Sequence, residues 1–176
     1  MKMTIYTKYV NWTTWNFLLT NEIKSIFDNT VGKLIGVRYK LIAYKKSNIV
    51  ANNFKFISLG TIVGPFKQTK LYEVTLYNLT THENSLSINE VPLPEFENIN
   101  FKQEWSLPAN SEVNELLSEV FSSDLKAVAN TSLQKINSIS NFFVLCQQKS
   151  EKQASFTKLV LVHFLNNELL SIKELT

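Results

Sequence analysis

The sequence predicts an α+β, mostly β protein: one antiparallel sheet, either closed into a barrel or strongly curved, with an N-terminal helix and a second helical segment. Three observations predict it. Four strand-like runs lie between Gly32 and Leu93, two of them (Gly36–Lys46 and Leu71–Leu79) alternating apolar and polar residues with a period of two, and polar or glycine-containing turns separate them. Two other stretches carry apolar residues at three- and four-residue steps, the helical spacing. After Ser140 the chain returns to strand-like runs. All four glycines (Gly32, Gly36, Gly60, Gly64) and the single arginine, Arg38, lie within the first alternating block.

Taken in order, Thr4–Tyr9 reads as a short strand or an extended lead-in. Trp12, Trp15, Leu19, Ile23 and Ile26 share one face of a helix, with Asn11 or Thr13 as its cap and Gly32 just beyond its end. The two tryptophans then serve as a lid on the sheet or, more sharply, as an aromatic wall against a flat ligand. Gly36–Lys46 alternates as a strand. In the next strand Gly60 and Gly64-Pro65 mark a bend or a tight turn. Leu71–Leu79 is a third strand, Thr80–Asn84 a turn, and Leu86, Ile88 and Val91 mark a fourth strand ended by Pro92 and Pro94.

Glu95–Asn110 is the least regular part, with room for an edge strand in Asn100–Leu107 before Pro108. Val113, Leu116, Leu117, Val120 and Phe121 form a second helical stripe capped by Asn110 or Ser111. Leu125, Val128, Ala129, Leu133 and Ile136 extend it, with Asp124 as a further cap. Phe142–Gln147, Phe156–Leu165 and Glu168–Leu175 are strands, and Asn166-Asn167 suits a two-residue hairpin turn because Asn tolerates positive φ. Leu159–Leu165 is apolar on both faces and so belongs in the middle of a sheet. The sequence shows neither an internal repeat nor a Pro/Gly/Ser linker, and residues 1–176 read as a single domain.

Composition narrows the function classes. At 176 residues and 44% apolar content the chain buries a full core. Eighteen basic residues, 17 of them lysine, face 15 acids, a net charge of +3. The lysines are dispersed, whereas nucleic-acid binders concentrate positive charge and use arginine forks. Nucleic-acid binding is therefore the weakest of three readings, although 21 aromatic residues offer stacking surfaces. Cys146 excludes an internal disulfide and suits a reducing compartment. No basic start followed by an apolar segment suggests a secretory signal, and no apolar run approaches the ~18 residues that span a membrane.

Few residues invite chemistry. His82 falls in a turn and reads as solvated. His163 lies mid-strand among apolar residues and reads as a core histidine. Cys146 follows Phe142, Phe143, Val144 and Leu145 with no basic neighbour to lower its pKa, which describes an inert buried thiol. No metal-ligand spacing, phosphate loop or nucleophile elbow is present.

One stretch, IKSIFDNTVGKLIGVR from Ile23 to Arg38, resembles the opening of the S-type bilin lyases, small lipocalin-like barrels that attach bilins to phycobiliproteins. That family begins with a helix ending in phenylalanines, then a Gly, a basic residue, a Trp, and an Arg six residues after the Gly. Phe27, Gly32, Lys33 and Arg38 keep this spacing, with Leu34 at the Trp position. Asn141–Leu145 and Ser155-Phe156 are similar to the family's last two strands, with Phe143, Leu145 and Lys158 where arginines and a Ser-Glu pair are usual. The resemblance spans about a third of the chain.

The resemblance implies a single lipocalin-like barrel that carries a bilin or acts as a chromophore lyase, with a phycobiliprotein as partner; the lone cysteine and the lack of a signal segment favour the cytoplasm or plastid stroma as its address. No obligatory cofactor is expected beyond a bilin as ligand. Arg38 would meet a carboxylate, while Tyr39, Tyr44, Tyr72 and Trp105 are candidate ligand walls. A reading from another class is a non-enzymatic interaction or assembly factor built on an SH3-like or curved sheet, using a strand edge or a lysine-bearing face.

Overall fold

The computed structural model describes residues 12–50, 52–65, 68–78, 84–93, 104–120, 125–131, 134–136, 139–150, 153–166 and 168–175. The lead-in at Thr4–Tyr9, most of the turn at Thr80–Asn84 with His82, and the proposed cap Asp124 lie outside them. The chain divides into two compact units, Met1–Asn100 and Phe101–Thr176, and the boundary falls in the stretch that the sequence marks as least regular.

Unit 1 contains helix α1 (Asn21–Thr30) and strands β1 (Val37–Lys46), β2 (Phe54–Ile62), β3 (Thr69–Asn78) and β4 (Asn84–Glu90), an antiparallel meander in sheet order β1-β2-β3-β4. Thr20 caps α1, its hydroxyl accepting the Ile23 N–H at 3.3 Å, and Glu22 in the first turn suits the positive end of the helix. Ile23 and Phe27 are buried, and the Phe27 ring meets Phe56 of β2 edge-on at 5.2 Å. Phe54, Val74, Leu76 and Tyr44 complete this core. The helix tightens into one 3-10 turn, Val31–Lys33, and the chain enters β1 through Gly36, whose φ of 95° an L side chain rarely adopts.

The structure starts α1 nine residues later than Trp12, where the apolar spacing predicts it. Residues 12–16 instead pair along β1. Trp12 bridges Ser47, Asn16 bridges Tyr44, and the Thr13 N–H donates to the Lys46 carbonyl at 2.8 Å. The spacing of Trp12 and Trp15 suits a helix face equally well, but pairing with β1 satisfies backbone groups that would otherwise line a bare edge. Lys45 lies over the Trp15 ring at 4.6 Å and Lys55 over Trp12 at 5.3 Å.

Unit 2 contains β5 (Trp105–Ser106), α2 (Ser111–Val120), β6 (Leu125–Thr131), β7 (Gln134–Ile136), β8 (Ile139–Ser150), β9 (Gln153–Leu165) and β10 (Glu168–Leu175). Its antiparallel sheet has the order β10-β9-β8-β6-β5, with β7 on β8. Val113 and Leu117 of α2 pack on Ala127, Val144, Cys146 and Val162, with Phe142 and Phe164 stacked at 5.1 Å. Asn166 turns β9 into β10 at φ 52°, as the hairpin reading expects.

Leu125–Ile136 is a correction. The expected second helical stretch is two strands, β6 and β7. The register against β8 slips between Ala127 and Ala129, so Val128 is an extra residue. A bulge of this kind breaks strand alternation, and the resulting apolar spacing imitates a helix.

The two units repeat one architecture, although the sequence displays no repeat. A tryptophan (Trp15, Trp105) lies beside the first long strand. A ten-residue helix starts six residues later (Asn21, Ser111) and buries its third and seventh residues: Ile23 and Phe27 in one unit, Val113 and Leu117 in the other. The first strand slips register between Leu41 and Ala43 in one unit and between Ala127 and Ala129 in the other. Phe56 then faces Val74, and Val144 faces Val162, each residue of the second pair 88 positions after its counterpart in the first. Burial demands an apolar side chain of suitable size at these places and no particular identity, so the repeat leaves little trace in the letters.

Neither sheet is closed among the described residues, since β1 and β4 bound the first and β10 and β5 the second. The mostly β, antiparallel α+β class holds; the described strands form two sheets rather than a closed barrel. No helix of the described residues is long and apolar enough to cross a membrane.

Candidate functional site

The feature of unit 1 best suited to binding lies on the α1-bearing face of the sheet, in the half opened by Gly36. Cross-strand register places Tyr39 opposite Gly60, Gly60 opposite Lys70, and Tyr72 opposite Glu90. Because side chains alternate, Tyr39, Gly60 and Tyr72 share that face. The rings of Tyr39 and Tyr72, both half-buried, meet edge-to-face at 5.7 Å and 72°. They do so above Gly60, whose missing side chain makes the room. A Cβ there would lie 2.6 Å from Tyr72 Cε2 and 2.9 Å from Val37 Cγ1.

Sequence reasoning takes Gly60 for a bend. The structure runs β2 straight through it, and the glycine serves close approach instead. A lone glycine inside an alternating strand, with tyrosines in the two flanking strands, is the signal that would have found this shelf.

Below the shelf, buried Ser58 donates its hydroxyl to the Lys40 carbonyl at 2.9 Å. Beside it, Lys70 Nζ and Glu90 Oε2 form an ion pair at 3.2 Å. Burial pushes the phenol pKa of both tyrosines up. Tyr72 adds to the rise at Tyr39, whereas at Tyr72 Lys70 lowers the pKa and Glu90 raises it. Both phenols are therefore neutral donors at physiological pH, set around a shallow aromatic surface with one cation and one anion at its rim.

The other expected site residues of unit 1, Tyr44 and Arg38, are placed apart from this shelf. Tyr44 is on the same face but buried in the core, where its hydroxyl accepts from Asn16 Nδ2 at 3.0 Å and ties down the extended N-terminal segment. Arg38 is exposed opposite Thr61 and, by alternation, points to the other face of the sheet. Trp105 belongs to unit 2. It is buried in β5, and its indole N–H has no hydrogen-bond acceptor among the described residues. Within unit 1 the structure thus brings Tyr39 and Tyr72 together, adds Gly60, Lys70 and Glu90, and turns Arg38 to the other face of the sheet.

The two reactive side chains of unit 2 do not converge. Cys146 is wholly buried on the face that carries α2, and burial pushes its thiol up to about 12. His163 is stacked on Phe143 at 4.3 Å, on the opposite face, and burial lowers its pKa. Both sit as the sequence anticipates, in packed surroundings. Among the described residues no three His, Cys, Asp or Glu side chains cluster as a metal site.

No family model matches this chain, and neither a curated protein nor a solved structure does.

Proposed function

We propose that this chain is a small-ligand-binding protein that holds a flat, conjugated molecule against the Tyr39–Tyr72 shelf of unit 1. The supporting observation is that pair of half-buried rings, seated over Gly60 and flanked by the Lys70–Glu90 pair. A planar π-system gains offset or edge contacts with such rings, phenol hydroxyls can donate to its carbonyls, and Lys70 supplies a cation for a carboxylate. An open-chain tetrapyrrole has all three features, and the resemblance of Ile23–Arg38 to the bilin lyases points to the same ligand class. On this reading the protein is a bilin carrier, and delivery to a phycobiliprotein cysteine would be its further step.

Co-expression with a bilin-producing pathway, followed by a visible spectrum of the purified protein, is the direct test. A bound band that weakens at least fivefold in Tyr72→Leu and in Tyr39→Leu is the expected result. A colourless protein, in cells where a known bilin protein is loaded, would overturn the proposal. So would a band indifferent to both substitutions.

The interaction-factor reading draws on a different feature, the exposed outer strand of unit 2.

A further inference from the structure

Strand β10 is the outer strand of the unit 2 sheet, and every residue from Glu168 to Glu174 is exposed. Leu169, Leu170 and Ile172 are 39%, 53% and 50% exposed. The repeat makes this exposure informative. Ile172 faces Val162 as Ile88 faces Val74, and Leu169 faces Phe164 as Leu86 faces Leu76. In unit 1, Leu86 and Ile88 pack on the core from the outer strand β4, whose outward residues Ser85, Ser87 and Asn89 are polar. Their counterparts in unit 2 stand open to solvent. A long outer strand carrying uncovered apolar side chains is a template for another strand.

We propose that β10 pairs antiparallel with β10 of a second copy of this chain, giving a two-fold symmetric dimer with one sheet running through both unit 2 halves. The charge pattern selects the occupant and the register. With the two-fold axis between Leu170 and Ser171, Glu168 stands opposite Lys173 of the other copy and Leu169 opposite Ile172, each pair formed twice. The faces agree. Register with β9 puts Leu169 and Ile172 on the face that bears α2, and Glu168 and Lys173 on the other. The slip between Leu169 and Ser171 leaves Leu170 as an extra residue. At the dyad both strands carry the same irregularity, so the ladder stays in step on either side of it. A one-residue change of register would set Glu168 against Glu174 instead, a like-charge pair. Closed two-fold pairing also uses up the edge and stops further strand addition.

An eight-residue strand pair is small beside a standard interface, so the dimer is weak, with a dissociation constant on the order of 10–100 μM. Sedimentation velocity of the full chain from about 1 μM to about 1 mM spans this range. Concentration-dependent dimerisation is expected. Glu168→Lys and Lys173→Glu should each raise the dissociation constant about tenfold, because each turns two attractive pairs into repulsive ones. The double variant Glu168→Lys/Lys173→Glu should return it to within about threefold of the original. All three changes are at exposed positions, and an unchanged far-ultraviolet circular dichroism spectrum checks the fold. A monomer throughout the range overturns the proposal and leaves the edge to some other strand. A dimer indifferent to the single reversals, or not restored by the double, overturns it equally.

Discussion

Adding one methyl group at Gly60 tests the tyrosine shelf most directly. In Gly60→Ala the new Cβ would sit 2.6 and 2.8 Å from two Tyr72 ring carbons and 2.9 Å from Val37 Cγ1. Carbon atoms rest about 3.5–4.0 Å apart, so the Tyr72 ring must retreat by roughly an ångström. Gly60 is not in the left-handed region, so backbone conformation does not oppose alanine. Reduced chain entropy alone would favour it by about 0.4–1 kcal/mol. Against that stands overpacking, about 1–3 kcal/mol, and loss of the Tyr39–Tyr72 contact, about 0.5–1.5 kcal/mol. The expected net effect is destabilisation by about 1–2 kcal/mol. In a Tyr72→Ala background the two closest contacts are gone and the Val37 contact remains, so the same substitution should fall within about 0.5 kcal/mol of neutral. Urea denaturation of the four proteins gives the coupling. Equal effects in both backgrounds, or a more stable Gly60→Ala protein, would refute the account of Tyr72 lying on the glycine.

The buried thiol gives a pH dependence with a defined sign. Cys146 stays protonated in the folded chain up to about 12 but ionises near 9.0 once unfolded, so its contribution is intact below pH 9 and declines between 9 and 12. The decline is about 1.4 kcal/mol per pH unit, and Cys146→Val should remove it; parallel stability profiles of the two proteins from pH 9 to 11 would contradict the burial argument. Thr20→Ala removes the cap of α1 and should cost about 1 kcal/mol in thermal or urea unfolding. Thr13→Ala, in the extended segment where the sequence places a cap, should leave α1 helicity unchanged; a loss of helix signal there would restore the earlier start.

Elements whose pattern is local are legible in the residues alone. Strand-like runs, alternating in β1 and β3 and largely apolar in β8 and β9, placed β1 to β4 and β8 to β10 to within a few residues. The stripe of Val113, Leu116, Leu117 and Val120 placed α2, and Asn166 marked the final hairpin. The surroundings of Cys146 and His163 announced that both are packed rather than reactive, because apolar neighbours on a strand leave such groups buried.

Features that depend on partners distant in the chain come only from packing. Trp12–Asn16 lies along β1 rather than in a helix because β1 offers backbone groups to pair with, an option invisible in a pattern that also fits a helix. Leu125–Thr131 is a strand because β5 and β8 flank it, and one bulged residue disguised its period. Gly60 makes a shelf only because Tyr39 and Tyr72 arrive from adjacent strands in one register. Register also carries Arg38, the neighbour of Tyr39, to the opposite face, since side chains alternate. The division into two units of matching design depends on which strands exchange hydrogen bonds. Those bonds join backbones, which are alike in every residue, so side-chain letters record the repeat only as burial at Ile23 and Val113, Phe27 and Leu117, and Val74 and Val162.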